Sequence, residues 1–428
     1  MRLKAHWFLV VVLCVAMAIG YLLGAGHSRH AHANQTDIYK KLDVFAKILH
    51  YVGTNYVDAI SDDDLIYGAI KGMLDLLDPH TIFMPPDIYK EMKIDTTGEF
   101  QGLGVVVESR DDKLVVVSPV AGSPADNAGL QRGDEIVSID KKTTTGISLH
   151  DASNLMRGRI GTKVELGIMR LGWEKTKYMV LTRARIKVSS VEHRLLEPGI
   201  AYIKVSSFQD RTTLQIVSAL KRMSVLSQGP LVGVVMDLRD NPGGLFEEAV
   251  YVVDEFIKQG VIVSTEGRQH LHMEVEQSHA SGTYLSGKMA VLINGGSASS
   301  SEVVAGALQD HKRAVLIGTR SFGKGSVQNI IETDDGGALK ITVARYFTPN
   351  KRSIDIVGIT PDVTVAQPEM LERMLNKQDS LTPEIAFEVT DKLGRKLLAT
   401  VDPPDSIATA DHQLRAAYSY LKLGKLPN

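Results

Sequence analysis

From residue 187 onward, short apolar runs alternate with amphipathic stretches, and this alternation constrains the fold more than any other feature of the chain. Ile200–Val205 reads as a strand, Thr212–Met223 as a helix and Leu231–Leu238 as a buried-type strand. Helix Leu245–Lys258, strand Met289–Ile293, helix Ser301–Gln309 and strand Ala314–Ile317 continue the series. Strand–helix–strand order predicts an open α/β sheet whose functional loops gather at the carboxyl edge of the strands.

The rest of the 428 residues reads as additional units around that core. Residues 1–33 have the pattern of an export signal: Arg2 and Lys4 precede an apolar run, Trp7–Leu23, and no acidic residue occurs before Asp37. Ala31-His32-Ala33 resembles a cleavage site that would make Asn34 the mature start, and the run is near the minimum that spans a bilayer, so an uncleaved anchor is the alternative to cleavage. Either way the body of the protein is expected outside the cytoplasm, in the periplasm or cell envelope. Residues 34–97 carry helical periodicity, with Ile38, Leu42, Phe45, Ile48, Leu49 and Val52 on one face. Asp62, Asp63 and Asp64 suit a helix N-terminus better than a metal site. Residues 98–186 turn to short β runs with one helix, Ser148–Met156, and residues 367–428 read as a charged, helical accessory tail. The expected fold is therefore a multidomain α/β protein: an N-terminal helical unit, a β-rich domain, an α/β core at 187–366 and the C-terminal helical tail.

Net charge of −2 offers nothing to nucleic acid. The single cysteine, Cys14, lies in the leader, so the folded part has no thiolate nucleophile, disulfide or cysteine-bound metal.

Reactive chemistry concentrates between Asn294 and Gln328. Ser297, Ser299, Ser300 and Ser301 cluster at a helix start, and Lys324 follows between Gly323 and Gly325. Ser299 with Glu302 fits a capping box. The same geometry puts a serine oxygen near helix N–H groups that stabilise an oxyanion. Residues Gly318–Lys324 match the start of a phosphate-binding loop, but Gly325 replaces the Ser or Thr that holds magnesium and a strand follows. Asp237 through Gly244 reads as a strand ending in a sharp glycine turn, which exposes backbone N–H groups at the sheet edge. His270 and His272 have metal-compatible spacing but no third ligand nearby, and read as exposed strand residues.

Two resemblances draw these features together. Gly102-Leu103-Gly104-Val105, Ser123-Pro124-Ala125 and Ala128-Gly129-Leu130 with Gly133-Asp134 resemble a PDZ domain, whose glycine-flanked loop receives a peptide's terminal carboxylate. Tyr56-Val57-Asp58, Leu77-Asp78-Pro79-His80, LRDNPGGL, GSASSSEVVAGALQDH, GTRSFGKGSVQ and TPNKRSIDIVGITPDV resemble the carboxy-terminal processing proteases, or tail-specific peptidases. That resemblance implies an exported serine endopeptidase with Ser299 as nucleophile, Lys324 as general base and Gln328 orienting the lysine. It implies oxyanion donors at the backbone of Gly243 or Gly244 and of Ser300. Ser300 stands where the family often has alanine. Arg157, ending the PDZ helix, is a candidate to bind the substrate carboxylate or to relay PDZ occupancy. No cofactor is implied. Expected partners are proteins with exposed C-terminal tails, with a homodimer through the helical ends as a further candidate. A catalytically idle PDZ scaffold is the competing reading.

Overall fold

The computed structural model describes residues 38–268, 274–279, 282–366, 404, 407 and 411–423. The expected signal at 1–33, His270 and His272 lie outside them. The chain divides into two compact units, residues 1–83 and 84–428.

In the first unit a helix over 38–55 is followed by helix Asp62–Leu74. Ser61 caps the second helix, its Oγ accepting from the Asp64 N–H at 3.1 Å, and the three aspartates occupy the first turn. There they meet the positive end of the helix, as expected of capping charges. The Asp78 carboxylate accepts from the Thr81 hydroxyl and from the backbone N–H groups of His80 and Thr81, which makes Asp78-Pro79-His80 a closed turn.

Helix Pro86–Thr97 falls in the second unit, so the division lies nearer than residue 97. The Tyr89 hydroxyl and the Lys93 ammonium both reach Glu332, at 2.6 and 2.8 Å. Gly98 ends the helix at φ 64°, where a side chain would collide with Gln209. Strands Glu99–Gly102 and Ala184–Lys187 then pair as a two-stranded stem. Between them lies a β domain with strand order Val105–Arg110, Lys113–Pro119, Glu135–Ile139, Lys163–Met169 and Lys177–Thr182. Helix Leu149–Met156 closes its core of Leu114, Val116, Ile136, Val164, Leu166 and Ile168. The Gly133-Asp134 phrase gains its reason here: Asp134 is fully buried and paired with Arg170 at 2.6 Å.

The core sheet runs Val191–Glu197, Ile200–Val205, Gly233–Asp237, Lys288–Ile293, Val315–Gly318 and Val363–Thr364. All neighbouring pairs are parallel except the first. Its strands bury alternate residues on opposite faces. Ile203, Met236 and Val291 pack against helices Thr212–Leu226, Phe246–Asp254 and Ser300–Asp310. Tyr202, Val235 and Leu292 face helix His412–Leu423, which contributes Leu414, Ala417, Tyr418 and Leu421. That helix is therefore a layer of the core rather than an accessory tail. Its apolar stripe fills the face that the three earlier helices leave open.

A second sheet is antiparallel: strand Ser326–Glu332 pairs with Ala338–Phe347, which pairs with Val261–Gly267, which pairs with Glu274–Gln277.

Candidate active site

Because the three central strands are parallel neighbours, their carboxyl ends emerge side by side. Asp237 pairs with Leu292, and Ile293 with Gly318, so the glycine turn, the serine cluster and the lysine loop leave one edge in adjacent positions. Hydrogen bonds then fasten the loops together. The Ser297 hydroxyl donates to the Leu238 carbonyl at 2.7 Å, and the Ser297 carbonyl accepts from the Phe322 N–H at 3.0 Å. The Ala298 N–H and the Ser301 hydroxyl both reach the Asn241 carbonyl. The Ser300 hydroxyl donates to the Gly244 carbonyl at 3.0 Å.

These bonds separate the four serines. Ser297, Ser300 and Ser301 are buried with hydroxyls tied to carbonyls, while the Ser299 hydroxyl donates to no carbonyl among the described residues. Ser299 is also half-exposed, and its backbone sits at φ 53°, ψ −115°, where a residue with a Cβ is strained. Strain of this kind persists only where the surroundings over-determine it, and it collects at functional positions.

The surroundings centre on Glu302. Its carboxylate is buried at the third position of the helix and accepts four hydrogen bonds. Oε1 receives the Ser321 hydroxyl and the Gly323 N–H; Oε2 receives the N–H groups of Ser299 and Lys324. Burial lifts its carboxyl above the ordinary glutamate range, and the four hydrogen bonds pull against that shift. The lysine loop is thus fixed through backbone to the start of helix Ser300–Asp310, which leaves the half-buried Lys324 side chain set by the loop's path. Gly325 permits that path, since a Cβ there would lie 2.2 Å from the Asp355 nitrogen. The same bonds occupy the N–H groups of Gly323 and Lys324, and a strand follows, so no phosphate cradle exists here.

Gln328 lies on the strand leaving the lysine loop. Its Nε2 donates to the Thr342 hydroxyl at 2.7 Å, while its buried Oε1 has no hydrogen-bond partner among the described residues. On the other side, the glycine turn abuts the serine: a Cβ on Gly243, at φ 105°, would lie 2.9 Å from Ser299 Cβ. The Gly243 N–H is taken by Asn241 Oδ1 at 2.9 Å, so Gly243 acts here as a close-packing residue. Among the described residues the N–H groups of Gly244 and Ser300 donate to nothing, which makes them the available pair.

In the β domain, strand Val105–Arg110 is a sheet edge. Before it, Leu103 is buried in the core and Gly104 takes φ 74° because a Cβ would strike Ser123. Gly102 closes the stem strand opposite Ala184. The N–H groups of Leu103 and Gly104 donate to no described residue, as a carboxylate-receiving loop requires. Arg157 follows the domain helix beside the residues that lead into this loop, with the Gly158 N–H donating to the Gln101 carbonyl; its guanidinium is 3.8 Å from Glu91 and lies over Phe100 of the stem. Those contacts tie the end of the domain helix to helix Pro86–Thr97 and to the stem.

Sequence reasoning took Glu302 only as a capping residue and passed over Asn241 and Asp411. Asp411 pairs with Arg239, which in turn grips Asp237 at 2.6 Å beneath the glycine turn. The one available signal was a glutamate inside an otherwise small and apolar helix start.

Comparison with known proteins agrees with this anatomy. Residues 199–365 match the model of peptidase family S41, residues 115–170 a PDZ domain, and residues 23–87 the N-terminal domain of the activating protease CtpB. The chain is 44% identical over 336 residues to a carboxy-terminal-processing protease of Bartonella bacilliformis, covering 78% of this chain and 77% of the relative. It is 31% identical over 377 residues to the carboxy-terminal processing protease CtpA of Bacillus subtilis, covering 86% and 78%. Among solved structures, a photosystem II D1 C-terminal processing protease aligns at 31% identity with a TM-score of 0.43, covering 75% of this chain and 86% of its own. The chain belongs to the carboxy-terminal processing proteases, PDZ-bearing serine peptidases of family S41.

Proposed function

We propose that this peptidase works through a Ser299–Lys324 dyad and is exported. Ser299 Oγ attacks the carbonyl carbon of a peptide bond while the uncharged Lys324 amine accepts the hydroxyl proton. The N–H groups of Gly244 and Ser300 receive the developing oxyanion. Lys324 returns the proton to the leaving amine, and water then hydrolyses the acyl-enzyme with the same base. An ordinary lysine has a pKa of ~10.4, so the dyad needs a dry setting around the amine. Gln328 suits this, because its Oε1 can accept from the amine without adding a charge that would keep it protonated.

The observation that carries the reading is the shared grip of Glu302 on the backbones of Ser299 and Lys324. Substrate selection rests on the open N–H groups before the edge strand of the PDZ domain, which favour an extended C-terminal tail. Export is supported by the basic and apolar pattern before Asp37. Mass spectrometry of the mature N-terminus separates cleavage after Ala33 from retention as an anchor. A homodimer draws support from the helix at 38–55, where Ile38, Leu42, Phe45 and Ile48 are all exposed. Analytical ultracentrifugation of L42S/F45S against the parent tests it.

The dyad is tested with a protein ending in an apolar segment. The parent cuts it, while Ser299→Ala and Lys324→Arg leave it intact, since guanidinium does not release its proton. Cleavage by Ser299→Ala at the parent's rate removes the proposal. An intact substrate with folded parent supports an idle scaffold instead.

A further inference from the structure

The segment Ser353–Gly358 runs in backbone contact with the lysine loop. The Ile356 N–H donates to the Gly323 carbonyl at 2.8 Å, and the Ile356 carbonyl accepts from Arg320 at 3.0 Å. A Cβ on Gly323 would lie 2.9 Å from the Ile356 carbonyl carbon, so the two chains touch on either side of Lys324. Core residues pin the segment at both ends, with Ile354 and Ile359 buried.

Between those anchors Ile356 holds φ 65°, a conformation that a β-branched residue rarely adopts. Its side chain nevertheless points outward, 83% exposed, beside Val357 at 55%. Phe322, whose N–H is held by Ser297 and which immediately precedes Gly323, is 60% exposed. An isoleucine that is both strained and outside the core adds nothing to folding. Glycine would take the same backbone without strain. Strain kept at a functional site points to a contact made there.

We infer that Phe322, Ile356 and Val357 form an apolar collar that binds the side chain following the scissile bond of the substrate, the first residue of the released tail. The side of the bond follows from the reaction, and the inference rests on the dyad proposed above. Lys324 must hand its proton to the leaving amine, so the part of the site built around the lysine loop faces the leaving segment. The collar adjoins that loop and offers three aliphatic or aromatic side chains, while the neighbouring Arg320 guanidinium is engaged by the Ile356 carbonyl. A large apolar residue there is favoured, and an acidic or small polar one is not.

The test uses the full chain and a set of unstructured peptides sharing one apolar C-terminal segment. They differ only at the residue after the cut bond, as leucine, phenylalanine, serine or aspartate. Rates are read by mass spectrometry, with Ser299→Ala as the control that assigns cleavage to the dyad. The parent is expected to prefer the apolar residues about tenfold in kcat/KM, the scale of one apolar contact. Ile356→Gly and Phe322→Ser should bring that ratio towards one by losing rate on the apolar peptides alone. Ile356→Gly should also melt at or above the parent temperature, because it relieves the backbone. Unchanged preference in both variants overturns the collar while leaving the dyad standing. So does an Ile356→Gly variant that melts lower and slows on all four peptides alike. Cleavage that survives in Ser299→Ala removes the dyad, and the collar with it.

Discussion

Ser299 and Lys324 donate their backbone N–H groups to the same oxygen, Oε2 of Glu302, at 2.9 and 2.8 Å. Two residues twenty-five positions apart are thereby held no further apart at the backbone than those two bonds allow. The backbone spacing of the proposed dyad is set by one buried carboxylate.

Glu302→Gln keeps the shape and loses the match. A carboxamide has one acceptor, so its NH2 would face either the N–H groups of Ser299 and Lys324 or the Gly323 N–H and the Ser321 hydroxyl, and at least one N–H donor loses its acceptor either way. Stability should fall by ~2–4 kcal/mol, the range for unsatisfied buried groups. Cleavage should fall by about a hundredfold or more, since a displaced base forfeits alignment. Urea unfolding and kcat on one tail substrate measure the two effects.

Protonation of Glu302 should act in the same direction on activity and in the opposite direction on stability. Its folded pKa lies above the ordinary glutamate value, chiefly through burial. As pH falls, the folded chain therefore takes up this proton before the unfolded chain does, and in that window acidification adds stability at this site. Activity should fall there without a fall in melting temperature. Across that window the slope of log kcat against pH should steepen from one towards two, as protonation of Glu302 adds to that of the base. A single-slope acid limb in the parent would show that Glu302 does not titrate while the enzyme works.

Which of these features the sequence displayed depends on how local their cause is. The parallel strands were legible because Ile200–Val205, Gly233–Asp237 and Lys288–Ile293 are buried on both faces, and such strands read as unbroken apolar runs. The helix His412–Leu423 read as a charged tail because its role depends on a sheet face that local periodicity does not reveal. The serine cluster alone did not mark out Ser299; family resemblance did, and the hydroxyl partners of Ser297, Ser300 and Ser301 supply a physical reason. Glu302 was masked by a sufficient simpler explanation, the capping box, which is present and serves a second purpose. The retyping of Gly243 as a packing residue follows from Asn241 Oδ1, which accepts the N–H two residues on as an Asx-turn, a local pattern that the sequence reading did not apply to this phrase.

Gln328 separates position from charge. Its Oε1 is buried and has no hydrogen-bond partner among the described residues. Gln328→Ala should lower kcat about tenfold and leave the acid limb in place. Gln328→Glu should move that limb up by about one to three pH units, because a carboxylate near the amine favours its protonated form. Full pH–rate profiles of the three proteins decide the matter; an unmoved limb in Gln328→Glu places the glutamine out of reach of the amine.

Gly243→Ala should damage catalysis and spare peptide binding. The added methyl would sit 2.9 Å from both the Ala298 carbonyl oxygen and Ser299 Cβ, and the backbone cannot yield there cheaply. The turn must withdraw from the nucleophile, and a loss of about a hundredfold in kcat is expected. The PDZ domain has its own core, so affinity for a tail peptide should match the parent by calorimetry. Gly295→Ala is the control: nothing lies within 4 Å of its Cβ, and its stability change should stay within about 0.5 kcal/mol.

Arg239 joins the end of a central strand to the start of the last helix, and its two carboxylates should not be equivalent. Asp237 is 1% exposed and is held by Arg239 and by the Tyr202 hydroxyl at 2.7 Å. Asp411 pairs with the same guanidinium and also accepts from the Leu414 N–H at 3.0 Å, which makes it the cap of helix His412–Leu423. Asp411→Ala should therefore remove one ion pair and one cap, ~2–3 kcal/mol, while Arg239 keeps Asp237. Arg239→Ala leaves the buried Asp237 charge without its cation and should cost ~3–5 kcal/mol. Hydrogen exchange should rise in residues 412–423 for both variants, but in strand Gly233–Asp237 only for Arg239→Ala. Equal urea midpoints for the two would mean that the helix cap, and not the buried aspartate, governs this junction.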